Sequence, residues 1–189
     1  MQKFKTLTDA IALSEFAHRN QVDKAGLPYI EHPKRVLAKV QAQGALPYVQ
    51  MAAVLHDVTE DTAFTPAMLL ELGIPESAVE IVKLLDRDIS KKSYDDREIT
   101  RQQLIDSWSG LDPDEFGNAM KDYASKHGSF FETTDEFYYY AIKKNPGAVQ
   151  VKLADIEDNL SPWRLTYLSD ETRERLKKKY AKALEILNA

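Results

Sequence analysis

Cysteine is absent from this 189-residue sequence, which excludes a disulfide framework, a thiolate nucleophile and any cysteine-built metal site. A transition metal would have to be held by His, Asp or Glu. Long apolar runs are missing too: nothing approaches the roughly 18 consecutive apolar residues of an ordinary spanning helix. The start, MQKFKTLTDAIALSEFAHR, has a short apolar pattern broken by Asp9, Ser14 and Glu15, unlike a signal peptide. There is no basic excess either. Thirty acidic residues face 25 basic ones, a formal charge of -5, so no general attraction to nucleic acid or to an anionic membrane is expected. A small anionic ligand remains allowed, because a bound cation reverses the local field. A soluble, cytoplasmic chain is the default expectation, and 43% hydrophobic content suits a single domain over 1–189.

What is present reads as helix almost throughout, with strand-like alternation nearly absent and no visible repeat or low-complexity linker. Thr6 and Asp9 form a capping-box pattern ahead of Leu7, Ala10, Ile11, Ser14, Ala17 and His18 at helical spacing. The tract QVDKAGLPYIEH, with Gly26 and Pro28, predicts a loop. Pro33 suits the first turn of a helix running to Gly44, and a third helix from Pro47 carries VQMAAVLHDV. Thr65-Pro66 opens a short helix that Gly73 stops, and another follows Pro75. The polar stretch 97–133 is expected to be a helical elaboration on the core. Helices are then expected after Thr133, after Asn145-Pro146-Gly147 and after Ser169. The apolar stripe of the last one, at Leu176, Tyr180, Ala183, Leu184 and Leu187, suits core packing and a dimer equally.

Four places hold possible ligands, and three apolar helix segments end in them. In AAVLHDVTED, His56 and Glu60 are four residues apart, as are Asp57 and Asp61, so on one helix each pair shares a face. Ionised carboxylates beside such an apolar lead need a positive partner, which a metal or an arginine supplies. In VKLADIEDNL, an apolar lead precedes Asp155 and, four residues on, Asn159; Glu157 and Asp158 are expected to point elsewhere and to be solvated. His32, just before Pro33, is placed to aim an imidazole into a central cavity, and His18 sits in a pattern that looks buried. Two histidines with two aspartates would make a mixed nitrogen–oxygen site suited to Mn²⁺, Fe²⁺ or another borderline divalent ion.

With FAHRNQ at 16–21, GLPYIEHP at 26–33, AAVLHDVTEDT at 52–62 and VKLADIEDNL at 151–160, in this order, the sequence resembles the HD-domain phosphohydrolases. More narrowly, it resembles the hydrolase domain of the RelA/SpoT family and the small alarmone hydrolases. The resemblance implies an all-α, HD-domain helical bundle, here with a helical insertion, and a metal, usually Mn²⁺, held by His32, His56, Asp57 and Asp155. It implies that Glu60 and Asp61 activate water and handle protons. It assigns Asn159 to placing the nucleotide and its sugar, Lys24 to a basic position near the substrate, and Tyr29 to the wall of the same motif. Arg87, with Lys91 and Lys92, is available to phosphates. The implied reaction is hydrolysis of the 3′-pyrophosphate of guanosine tetra- or pentaphosphate to GDP or GTP and pyrophosphate.

One departure bears on the substrate. The family carries an arginine that packs on guanine where this chain has Asp23, and an acid neither stacks as guanidinium does nor attracts an anionic ligand. Two alternatives therefore stay open: an HD phosphatase acting on a different nucleotide, and a degenerate HD domain used as a sensing or interaction module. A synthetase domain has no room to follow within 189 residues, so pyrophosphate transfer from ATP is not expected.

Overall fold

The computed structural model describes residues 5–23, 26–107, 110–127 and 133–189. Helices α1 (Leu7–Ala17), α2 (Glu31–Ala42), α3 (Pro47–Leu55), α4 (Val58–Asp61), α5 (Pro66–Leu72) and α6 (Glu76–Leu85) make the first half of the fold. They are followed by α7 (Arg87–Ser107), α8 (Pro113–His127), α9 (Thr134–Lys143), α10 (Pro146–Asn159), α11 (Pro162–Leu165) and α12 (Asp170–Asn188). Among the described residues, β-structure is confined to an antiparallel bridge between Val22 and Pro28 in the loop after α1. No helix among them is long and apolar enough to cross a membrane.

The caps explain where many of these helices begin. Thr6 and Asp9 close a reciprocal capping box at α1, and Thr133 with Glu136 does the same at α9. Thr65, Asn145 and Ser169 each accept a backbone N–H at the start of α5, α10 and α12. Such caps are worth about 1 kcal/mol each. Gly73 ends α5 in the left-handed conformation at φ 96°, which a side chain would make costly.

Helix α3 lies at the centre. Val49 and the run Met51–His56 are buried on every side, as expected of a helix that is apolar all round. It packs against α1, α2, α6 and α10, and its small Ala52 and Ala53, both fully buried, permit that crowding. Two boundaries differ from the sequence expectation. Helix α2 starts at Glu31, so His32 stands inside the first turn and Pro33 occupies a position whose N–H has no helical partner. Helix α3 stops at Leu55, and Asp57, at φ -98° and ψ -2°, separates it from α4, so HDVTED is a broken helix rather than a continuous one.

The stripe of α12 is spent on the core: Tyr180, Ala183 and Leu187 are buried, and the helix packs on α9 and α10. Within the polar stretch 97–133, residues 97–107 belong to α7 and 113–127 to α8. Gly147, in the first turn of α10, has little room for a side chain. A methyl there would lie 2.7 Å from Ile81 Cδ1 and 3.0 Å from Val49 Cγ2. Gly147→Ala should therefore destabilise the fold by about 1–3 kcal/mol despite alanine's better helix propensity. A urea midpoint that stays or rises would contradict this packing.

Candidate metal centre

Three helices bring the candidate ligands together. His32 comes from the first turn of α2, His56 and Asp57 from the break after α3, and Asp155 from the third turn of α10. His32, His56 and Asp57 each offer a ligand atom, and these atoms lie within 4.8 Å of one another. Asp155 Oδ1 stands 3.2 Å from His32 Nε2 and 3.9 Å from His56 Nε2. Asp57 Oδ2 stands 2.9 Å from His56 Nε2 and 3.7 Å from His32 Nε2.

Each imidazole is held through its far nitrogen, and each carboxylate accepts hydrogen bonds from neighbouring side chains. His56 Nδ1 donates to the Ala53 carbonyl at 2.8 Å, which turns Nε2 inward. That Nε2 is buried and has no hydrogen-bond partner, despite its closeness to Asp57. His32 Nδ1 meets Asp158 Oδ2 at 2.7 Å. Tyr29 donates its hydroxyl to Asp57 Oδ2 at 2.7 Å. Asp155 receives Lys152 Nζ at 2.8 Å on one oxygen and Asn159 Nδ2 at 2.5 Å on the other. A buried imidazole nitrogen without a partner, facing a second imidazole nitrogen and two carboxylates, is a donor set that fits a borderline divalent cation.

The electrostatics point the same way. Burial pulls the pKa of His32 down, but hydrogen bonds to Asp155 and Asp158 outweigh it and raise it to about 9. His56 is also raised, the Asp57 charge overcoming burial. Burial works against the Asp57 and Asp155 charges, yet His56 holds Asp57, and Lys152 holds Asp155, well below the usual carboxylate range. The cluster is thus a concentrated negative field that draws positive charge, as protons on the imidazoles or as a metal ion.

His32, Asp57 and Asp155, but not His56, line a cavity of about 600 Å³, whose lining also includes Tyr29, Glu60, Asp61, Arg87 and Asn159. Glu60 Oε2 accepts the Arg87 backbone N–H at 2.9 Å. Burial pushes the Glu60 carboxyl upward, and burial together with the Asp57 charge does the same to Asp61. The Arg87 guanidinium is clamped by Asp135 at 2.7 Å and the Tyr139 hydroxyl at 2.8 Å. Asp23 also lines the cavity, its carboxylate accepting the Leu27 N–H at 3.0 Å. Lys24 lies outside the described residues.

Several expectations need correction or addition. Asp158 is 1% exposed rather than solvated, because three residues past Asp155 on a helix is the same face, not another one. Glu157 is exposed as expected and pairs with Lys39. Lys91 is exposed, paired with Asp95, and neither it nor Lys92 lines the cavity. His18 is buried, stacks near Tyr29 at 4.9 Å between ring centroids and does not line the cavity. Sequence reasoning missed Lys152, Arg164, Arg175, Lys179 and Tyr180, all of which line it. The three-residue step from Lys152 to Asp155 was visible, whereas nothing local tells which face of α12 meets a cavity.

No protein-family model matches the chain. It is 31% identical over 177 residues to a GTP pyrophosphokinase of Streptomyces coelicolor, covering 94% of this chain and 16% of that protein. It is 36% identical over 97 residues to the bifunctional (p)ppGpp synthase/hydrolase SpoT of Escherichia coli, covering 51% of this chain and 14% of SpoT. The chain thus spans about a sixth of the length of the curated relatives it matches. Among solved structures, a metazoan ortholog of SpoT that hydrolyzes ppGpp superposes with a TM-score of 0.60 at 23% identity, over 96% of this chain and 84% of that one. That structure has the same all-α fold. In sequence and in fold, this chain resembles the HD-type hydrolase domain of the RelA/SpoT family.

Proposed function

We propose that the chain is a metal-dependent phosphohydrolase that removes the 3′-pyrophosphate from guanosine tetra- or pentaphosphate. The observation that carries this reading is the convergence of His32, His56, Asp57 and Asp155 beside a cavity whose lining also includes Arg87, Lys152, Arg164, Arg175 and Lys179. The relatives named for (p)ppGpp chemistry support the substrate class.

In this reading the four residues hold Mn²⁺ or another borderline divalent ion. Bound there, the ion supplies Lewis acidity toward water and the phosphoryl group. The remaining work belongs to the chain. Tyr29, hydrogen-bonded to Asp57 Oδ2, and Lys152 and Asn159, hydrogen-bonded to Asp155, fix the two carboxylates against rotation. Glu60 is oriented by the Arg87 N–H, and its raised pKa makes it a better base for the proton that attacking water must lose. Asp61, one residue on at the rim, carries that proton toward solvent. The ester bond between the 3′ oxygen and phosphorus breaks, and the leaving oxygen takes up a proton to give GDP or GTP beside pyrophosphate. Lys152, Arg164, Arg175 and Lys179 balance the charge of the phosphates, and Arg87, braced by Asp135 and Tyr139, adds a rigid cation.

Asp23 in the cavity wall favours a second reading, in which the same centre serves a different nucleotide. A hydrolysis screen with Mn²⁺ across guanosine tetraphosphate and common nucleotides separates the two. The expected outcome is GDP and pyrophosphate from guanosine tetraphosphate. Inorganic phosphate from another nucleotide alone would favour the second reading, and no product from any would leave a sensing module.

Asp57→Ala should abolish both turnover and the rise in melting temperature that Mn²⁺ produces, since only the folded state binds the ion. Metal content unchanged in that variant would remove Asp57 from the ligand set. Glu60→Gln with Asp61→Asn should keep the Mn²⁺-induced thermal shift and lose about 10²–10⁴-fold in turnover. Wild-type turnover in the double variant would contradict the proton-handling role.

A further inference from the structure

We propose that Asp158 is a positioning residue for the metal centre, its carboxylate fixing the tautomer and ring orientation of His32 so that Nε2 faces the ion. The inference rests on the metal-centre reading above and adds a residue that touches neither the ion nor substrate.

The geometry is one-sided. His32 Nδ1 donates to Asp158 Oδ2 at 2.7 Å, and an imidazole that donates from Nδ1 carries its lone pair on Nε2. Nε2 is the nitrogen that faces Asp155 and Asp57. Arg164 Nη1 stands 2.9 Å from the same Nδ1, but it is itself a donor and meets Asp158 Oδ2 at 2.8 Å instead. The two imidazoles of the centre are therefore turned inward by different devices. His56 is held by a neutral backbone carbonyl, His32 by a buried carboxylate. A charged acceptor increases the basicity of the ring it holds, so Asp158 both aims His32 and strengthens it as a ligand.

Asp158 is held in place from three further directions. Arg35 Nε donates to Oδ1 at 2.8 Å and Arg35 Nη2 to Oδ2 at 3.1 Å, while Arg164 closes the remaining side. The Arg35 guanidinium in turn lies over the Trp163 ring, 4.6 Å from its centroid. A carboxylate with all these partners cannot swing toward the ion and join the ligands. It stands one turn beyond Asp155 on α10, so the register of one helix sets a ligand and the group that aims another ligand.

The test is Mn²⁺ titration calorimetry on the full chain, wild type against Asp158→Asn, which keeps the shape and removes the charge. The expected result is a dissociation constant about 10–100-fold weaker in the variant. Arg35→Gln, which leaves the His32–Asp158 bond intact, should lose less. A folded Asp158→Asn protein with wild-type Mn²⁺ affinity would overturn the proposal and reduce Asp158 to an ion-pair anchor. Should that variant not fold, long-range ¹H–¹⁵N spectra of the wild type loaded with diamagnetic Zn²⁺ decide independently. They should show His32 protonated at Nδ1 and metal-shifted at Nε2, and the reverse assignment would overturn the proposal. Absence of metal affinity in the wild type would instead bring down the metal-centre reading itself, before any variant is compared.

Discussion

Three carboxylates, buried Asp155 and Asp158 and partly buried Asp57, meet inside the helical fold, and the surrounding structure is organised by their need for positive charge. An ionised group costs several kcal/mol to bury unless it is paired and hydrogen-bonded. Here the pairing is spread over the fold: Lys152 on Asp155, Arg35 and Arg164 on Asp158, and the imidazoles of His32 and His56 on all that remains. The inward-facing side of the cluster is where protein cations stop and two imidazole nitrogens begin. That is the side on which we propose a divalent ion is held.

The same constraint shapes the cavity above the centre. Asp57, Glu60, Asp61 and Asp155 line it together with Arg87, Arg164, Arg175 and Lys179, so a ligand bearing several phosphates would find cations beyond the proposed ion. The basic groups do not all float free. Arg87 is tied to Asp135 and Tyr139, and Arg164 to Asp158, which means their positions are prepaid by the fold rather than by the ligand. Asp23 runs against this trend, an acid in the cavity lining where the resemblance to the RelA/SpoT hydrolase domain implies an arginine.

Much of this was legible in the sequence because it is local. Caps at Thr6, Thr65, Thr133 and Ser169 rest on a side chain and a backbone N–H a few residues on, and they stand as the residue types predict, whereas Asn145, read as part of a break, also caps a helix. The motifs carrying His32, His56, Asp57 and Asp155 could be ordered along the chain, and the fold joins them. What was not legible depends on tertiary neighbours. The break between α3 and α4 has no glycine or proline to announce it. The face of α12 that brings Arg175 and Lys179 to the cavity is indistinguishable by pattern from a solvated one. Asp158 was misread for a different reason: the four-residue spacing was followed and the equally valid three-residue spacing was not.

The central claim is that one divalent ion sits between four side chains drawn from α2, the α3–α4 break and α10. Anomalous diffraction from crystals soaked in Mn²⁺ tests it most directly. The account predicts one strong peak about 2.0–2.3 Å from Nε2 of His32, Nε2 of His56 and carboxylate oxygens of Asp57 and Asp155. A peak elsewhere, or one that leaves either imidazole turned away, would contradict it.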